Sequence, residues 1–121
     1  MGGGDWREII GHDGYFVVRL HSFTAAEGGQ ARHLQSGFRA TWWADGIPHP
    51  MDGPIVLAES GRRSVAPGGE AVVHVRPLQP AAWIDVEPGM QLCFGKRWAR
   101  ALGEGQVLGR VGVPRKEVPL R

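Results

Sequence analysis

Apolar residues alternate with polar ones over short stretches of this chain, and the alternation predicts strands rather than helices. Phe16, Val18 and Leu20 alternate with Val17, Arg19 and His21, the period of a half-buried strand. The step Glu27-Gly28-Gly29 breaks it. Phe38 to Trp43 is a second apolar and β-branched run. The stretch after it, with Asp45-Gly46, two prolines and Asp52-Gly53, predicts a loop, and 54–57 a short strand. Pro67-Gly68-Gly69 predicts a tight turn into the longest strand, 70–78. There Ala71, Val73 and Val75 face one way, and Val72, His74 and Arg76 the other. Pro80 has no amide donor and ends that strand. Pro88-Gly89 marks the next turn, and Met90, Leu92 and Phe94 alternate with Gln91 and Cys93. A last strand is predicted at 106–111.

These short strands, with no amphipathic helical stretch of ten residues, predict an all-β closed barrel or sandwich. Closure would remove the exposed strand edges that pair between molecules. The expected organisation is a flexible lead-in over 1–14, a β-barrel over 15–113 and a charged tail over 114–121. The lead-in carries one apolar patch: Trp6, Ile9 and Ile10.

Composition narrows the class. At 121 residues, 42% hydrophobic and 21% charged, the chain is expected to form one folded domain with a core. The 19 glycines and 9 prolines have no period, which excludes a collagen-like chain. A formal charge of +2 and a pI near 9.2 permit an acidic partner without requiring one. A single cysteine, Cys93, excludes an internal disulfide and a thiolate-rich zinc site. No apolar run approaches membrane-spanning length and no signal-peptide pattern opens the chain, so a cytoplasmic protein without a membrane partner is expected.

The order of the turns and strands resembles a known family. Val17 to Gly29 reads VVRLHSFTAAEGG and Ser36 to Trp43 reads SGFRATWW; these are similar to the opening of the third, C-terminal domain of elongation factor Tu. There a strand ends in an acidic-Gly-Gly turn, and a Gly-Tyr-Arg step leads into an aromatic strand. Here those positions are Glu27, Gly28 and Gly29, then Gly37, Phe38 and Arg39. The likeness continues through DGPIVLAES, VAPGGEAVVHVRPLQPAAW and PGMQLCFGKRWARALGEGQVLGRV, so that it spans residues 15 to 111. It implies a closed six-stranded antiparallel β-barrel. In the parent factor this domain meets the T stem of aminoacyl-tRNA, the GTPase domain and the nucleotide-exchange factor. The GTPase is missing here, and no Gly-X4-Gly-Lys-Ser/Thr loop cradles phosphates, so neither GTP binding nor hydrolysis is expected.

Two departures from the family pattern mark candidate binding residues. The family's Gly-Gly-Arg-His-Thr-Pro step reads Gly29-Gln30-Ala31-Arg32-His33-Leu34 here, with the basic pair Arg32 and His33 displaced by two residues. A glycine-rich loop that touches tRNA in the family is one residue shorter and reads Lys96-Arg97-Trp98-Ala99-Arg100. Losing its glycines removes the close backbone approach that a phosphate contact needs. Trp and Arg are the side chains that most often anchor protein interfaces. The candidate binding residues are therefore Arg39, Lys96, Arg97, Trp98 and Arg100, with Arg32 and His33. A solvated hairpin with its tryptophan folded on the barrel end is the plain alternative. Trp42, Trp43 and Trp83 are expected to add aromatic surface; adjacent Trp42 and Trp43 cannot both point inward from one strand.

Catalytic chemistry finds little support. His21, His33, His49, His74 and Cys93 lack metal-ligand spacing, and no metal or other cofactor is expected. Asp85 and Glu87 adjoin a turn, where solvation explains them. Ser22, Ser36 and Ser64 lack a nucleophile-elbow setting. Cys93 is either a small packing residue or a reactive thiol. The sequence thus predicts a non-enzymatic binding module, with a protein partner first and tRNA or another structured RNA as the alternative.

Overall fold

A computed structural model describes residues 14–96 and 100–113 of the chain. Eight strands form in chain order: β1 (Tyr15–Ser22), β2 (Leu34–Gln35), β3 (Phe38–Ala44), β4 (Ile47–Leu57), β5 (Ser64–Val65), β6 (Glu70–Val75), β7 (Gln91–Gly95) and β8 (Ala101–Val111). A short 3-10 helix, Pro80–Trp83, lies between β6 and β7. Six of the strands close a barrel in the order β1-β6-β4-β3-β7-β8, every pairing antiparallel. The all-β class and the six-stranded closed barrel expected from the sequence are what the chain adopts. The two remaining strands, β2 and β5, pair with each other as a separate two-stranded sheet.

Alternation works as expected in β1 and β6. Phe16, Val18 and Leu20 are buried, and they meet Val75, Val73 and Ala71 across the ladder. The turn after β1 is closed by two reciprocal bonds. Thr24 N donates to Glu27 Oε1 (2.9 Å), and Glu27 N donates to Thr24 Oγ1 (3.1 Å). Those bonds from Thr24 hold the Glu27 carboxyl below the usual carboxylate range.

The predicted loop before Pro54 is overturned. The stretch 45–53 is not a loop: only Asp45-Gly46 turns, and β4 runs unbroken from Ile47 through three prolines. The ladder to β3 slips between Trp42 and Ala44, which leaves Pro48 and Pro50 outside its paired positions. Pro54 sits opposite Arg39, and its carbonyl accepts from Arg76 N (3.1 Å) on the other side of the strand. The missing N–H therefore faces the margin where β6 has ended, and costs no bond to β3. Two further extents differ. β6 stops at Val75, although Leu78 N still donates to Asp52 O (3.1 Å), and β8 begins at Ala101, before the predicted start.

Aromatic rings fill the barrel. Trp42 packs on Phe94 (5.0 Å between centroids) and edge-on to Trp83 (6.3 Å), and Trp83 stacks on Phe16 (5.3 Å). Both indoles donate to carbonyls of β4: Trp42 Nε1 to Gly53 O (2.9 Å) and Trp83 Nε1 to Asp52 O (3.2 Å). Trp42 is buried and its neighbour Trp43 half-buried, as adjacent strand positions require. Trp83 was expected at the surface and is fully buried instead. The 3-10 turn after Pro80 swings it under the barrel, a placement no local periodicity encodes. Rings of this size fit because a bare backbone approaches them. A Cβ on Gly53 would stand 2.8 Å from the Trp83 ring, and one on Gly103 would stand 2.5 Å from the ring of Phe94.

The end below these rings is locked by a buried cation. Arg110, whose side chain is 2% exposed, lies over the Phe16 ring. It donates to Val86 O (2.7 Å), Val113 O (3.3 Å) and the Glu87 carboxylate (3.0 Å).

Candidate binding surface

Strand direction decides which connections meet. All six barrel pairings are antiparallel, so connections alternate between the two ends. One end collects 23–37, 58–69 and the connection from Gly95 to Ala101; the other collects 45–46 and 76–90. The first end receives every candidate residue that is described. Arg32 and His33 precede β2, Arg39 stands near the start of β3, Lys96 follows β7, and Arg100 leads into β8. All five are exposed. Arg97 and Trp98 lie outside the described residues.

Sequence reading missed a further basic pair at the same end, Arg62 and Arg63, in the connection between β4 and β5. The signal was available: in an all-antiparallel barrel, counting alternate connections places 58–69 beside 23–37. Glu59 braces this connection. Its carboxylate accepts from Val72 N (2.8 Å) and pairs with Arg62 (3.6 Å), whose Nε donates to Ser64 O (3.2 Å). Arg63 stays exposed.

The charges at this end are unequal. Of its acids, Glu27 is held by Thr24 with His21 nearby (3.5 Å), and Glu59 by Arg62 and Val72 N. Glu70 and Glu104, which flank His21 from the neighbouring strands β6 and β8, are further described carboxylates there. Among the described residues, Arg32, Arg39, Arg63 and Lys96 pair with no carboxylate, and Arg100 only reaches the Gly29 carbonyl (3.5 Å). The opposite end carries, among the described residues, Asp45, Asp85 and Glu87 beside Arg76, which lies over the Tyr15 ring, and Arg110, which is committed inside. Among the described residues one barrel end therefore gathers more cations than acids, a basic pole that the modest net charge of +2 does not show.

The chain matches no model of a known protein family and no curated protein.

A groove of about 440 Å³ runs from this pole up the outer wall of β3 and β4. Arg39, Lys96 and Asp52 supply its charges, and Pro54 and Leu78 its apolar wall. Thr41 Oγ1 donates to Asp52 Oδ1 (3.0 Å), which fixes the one carboxylate. On the adjoining rim, His33 Nδ1 lies 3.3 Å from Ser64 Oγ. No described carboxylate orients that imidazole from its other side, as a nucleophile-base-acid relay would need. Among the described residues no three His, Cys, Asp or Glu side chains are grouped to hold a metal ion. No described helix is long and apolar enough to cross a membrane.

Burial pushes the Cys93 thiol above its ordinary range, with Glu104 and Asp45 adding to the effect. A thiol kept protonated is a poor nucleophile, which supports the packing reading of Cys93.

Proposed function

We propose that this chain is a non-catalytic binding module, related in design to the C-terminal domain of elongation factor Tu, that grips an acidic protein partner with its basic pole. One observation carries the reading: exposed Arg32, Arg39, Arg63, Lys96 and Arg100 gather at one barrel end, and none of them forms an ion pair with a described carboxylate. Guanidinium groups that pair with no described carboxylate can take up an incoming one without first giving up an ion pair. A decoy, immunity-type or accessory role suits a free-standing domain of this shape, since each needs a docking surface and no reaction. The order and spacing of the turns from Glu27 to Val111, together with the barrel they form, support the kinship.

The same cations would suit phosphates, so tRNA or another structured RNA is the second reading. What favours protein, among the described tryptophans, is that Trp42 and Trp83 are buried in the core and unavailable for stacking on bases, and Trp43 is half-buried. The test is affinity capture from lysate with the wild type and an Arg32→Gln/Arg39→Gln/Arg100→Gln variant, followed by titration of the captured partner against salt. A captured protein that the variant loses, with an affinity that falls moderately as salt screens the exposed charges, supports the proposal. A steep logarithmic salt slope, about 0.7 per phosphate contact for a single strand, would reassign the surface to RNA.

A further inference from the structure

Resting on the binding-module reading, we propose that the groove on β3 and β4 seats an extended, acidic and aliphatic segment of the partner protein. A carboxylate of that segment sits between Arg39 and Lys96, and the aliphatic side chain beside it lies on Pro54 and Leu78.

Charge separates two recesses among the described residues. The one over β1 and β8 is lined by Arg19 and His21 against Glu70 and Glu104, with Gln91 and Gln106 between. Cation there meets acid, and no net sign selects a ligand. In the groove on β3 and β4, two cations face one carboxylate. Arg39 and Lys96 make no ion pair or hydrogen bond with another described residue, whereas Asp52 is already engaged by Thr41. The recess therefore lacks one negative charge, and a guanidinium fork supplies the geometry that a carboxylate accepts from two sides.

Its other wall selects against a nucleic-acid backbone. Pro54 and Leu78 give apolar contact that a phosphate backbone does not use, and no described aromatic ring lines the groove for a base to stack on. The volume, about 440 Å³, lies within the range of pre-formed ligand sites and suits a short peptide stretch. The wall is also built firmly. The carbonyl of Asp52 accepts from Leu78 N (3.1 Å) and from the buried Trp83 indole (3.2 Å), so the residues that bear the groove are fixed to the core. A seat that does not reorganise loses little affinity to ordering.

Two-dimensional amide NMR on the full chain tests this with a synthetic Leu-Glu-Leu-Glu peptide, its Leu-Gln-Leu-Gln twin and a short RNA hairpin. The acidic peptide is expected to shift the amides of Arg39, Thr41, Asp52, Leu78 and Lys96, and the Gln twin to bind about tenfold more weakly or worse. Arg39→Gln and Lys96→Gln should each weaken binding about fivefold, and Asp52→Asn should tighten it. All three are exposed positions, and well-dispersed spectra will verify that the variants fold. Shifts confined to the Arg32, His33 and Arg63 loops, with the groove silent, would overturn this inference and leave the binding-module reading standing. Shifts with the hairpin but not the peptide would overturn it in favour of RNA. Silence with both probes and an undiminished capture of partner by the Arg-to-Gln variant would sink both readings.

Discussion

Gly103→Ala is expected to be among the most damaging single-methyl changes in this protein, and Gly109→Ala, six residues along the same strand, among the mildest. Neither glycine has a left-handed φ, so alanine is conformationally admissible at both, and the comparison isolates packing. At Gly103 a Cβ would stand 2.4 Å from the His21 carbonyl oxygen and 2.5 Å from the Phe94 ring. At Gly109 its nearest neighbour is the Val17 side chain at 3.9 Å, an ordinary contact. The obstacle at Gly103 is backbone on one side and a buried ring wedged against Trp42 on the other, so no rotamer change relieves it. Overpacking of this kind costs about 1–3 kcal/mol, and the backbone obstacle places it at the upper end, about 3 kcal/mol. Gly109→Ala should be neutral, or gain about 0.5 kcal/mol through the restricted unfolded chain. With a slope of about 1.5 kcal/mol per molar urea, Gly103→Ala lowers the unfolding midpoint by about 2 M. Urea titration followed by tryptophan fluorescence measures both, since Trp42 and Trp83 leave the core on unfolding. Midpoints for the two variants within about 0.5 M of each other would refute the claim that bare backbone at Gly103 admits the Phe94 ring.

Three further outcomes follow from the same packing. Arg110→Ala orphans the Val86 and Val113 carbonyls and should cost about 2–3 kcal/mol in urea unfolding, whereas Glu87→Gln, whose side chain is 43% exposed, should cost under about 1 kcal/mol; equal losses would contradict the carbonyl-locking role. Burial, and secondarily the Arg76 charge, hold the His74 imidazole below its ordinary 6.5. The unfolded chain thus takes up this proton first: the contribution is complete above 6.5 and is lost as pH falls from there toward the folded value. The urea midpoint should drop between about pH 7.5 and about pH 5.5, and drop less in His74→Phe, which keeps a ring against Tyr15 (4.1 Å in the wild type). Cys93 should react with a disulfide reagent at about pH 8 far more slowly in the native chain than in urea, and Glu104→Gln should speed the native reaction; equal native and unfolded rates would place the thiol in the open.

Local pattern alone determined the class of this protein. The alternation in Tyr15–Ser22, Glu70–Val75 and Gln91–Gly95 is a period-two signal that needs no partner to be read, because neighbouring side chains on a strand must point apart. The same rule split Trp42 from Trp43. The glycine turns at Gly28, Gly46, Gly68 and Gly89 were legible too, since each carries the positive φ that glycine adopts without strain. Candidate cations could be named from the sequence as well, because Arg39, Lys96 and Arg100 stand beside strand ends. Tertiary structure decided the rest, wherever the cause lay on another strand. Pro48 and Pro50 read as loop, and they sit in β4 only because the slipped ladder leaves them outside its paired positions and asks nothing of their missing amides. Trp83 reads as surface and is core, because Asp52 and Phe16, distant in sequence, receive its indole and its face. The Arg110 side chain is buried inside the last predicted strand, because the distant Ile84 and Val86 carbonyls converge on it together with that of Val113. The basic pole arises the same way: Arg32, Arg39, Arg63, Lys96 and Arg100 are scattered along the chain, and antiparallel closure gathers them at one end. Long-range pairing sets which charges meet, and charge that is balanced along a sequence need not be balanced in space.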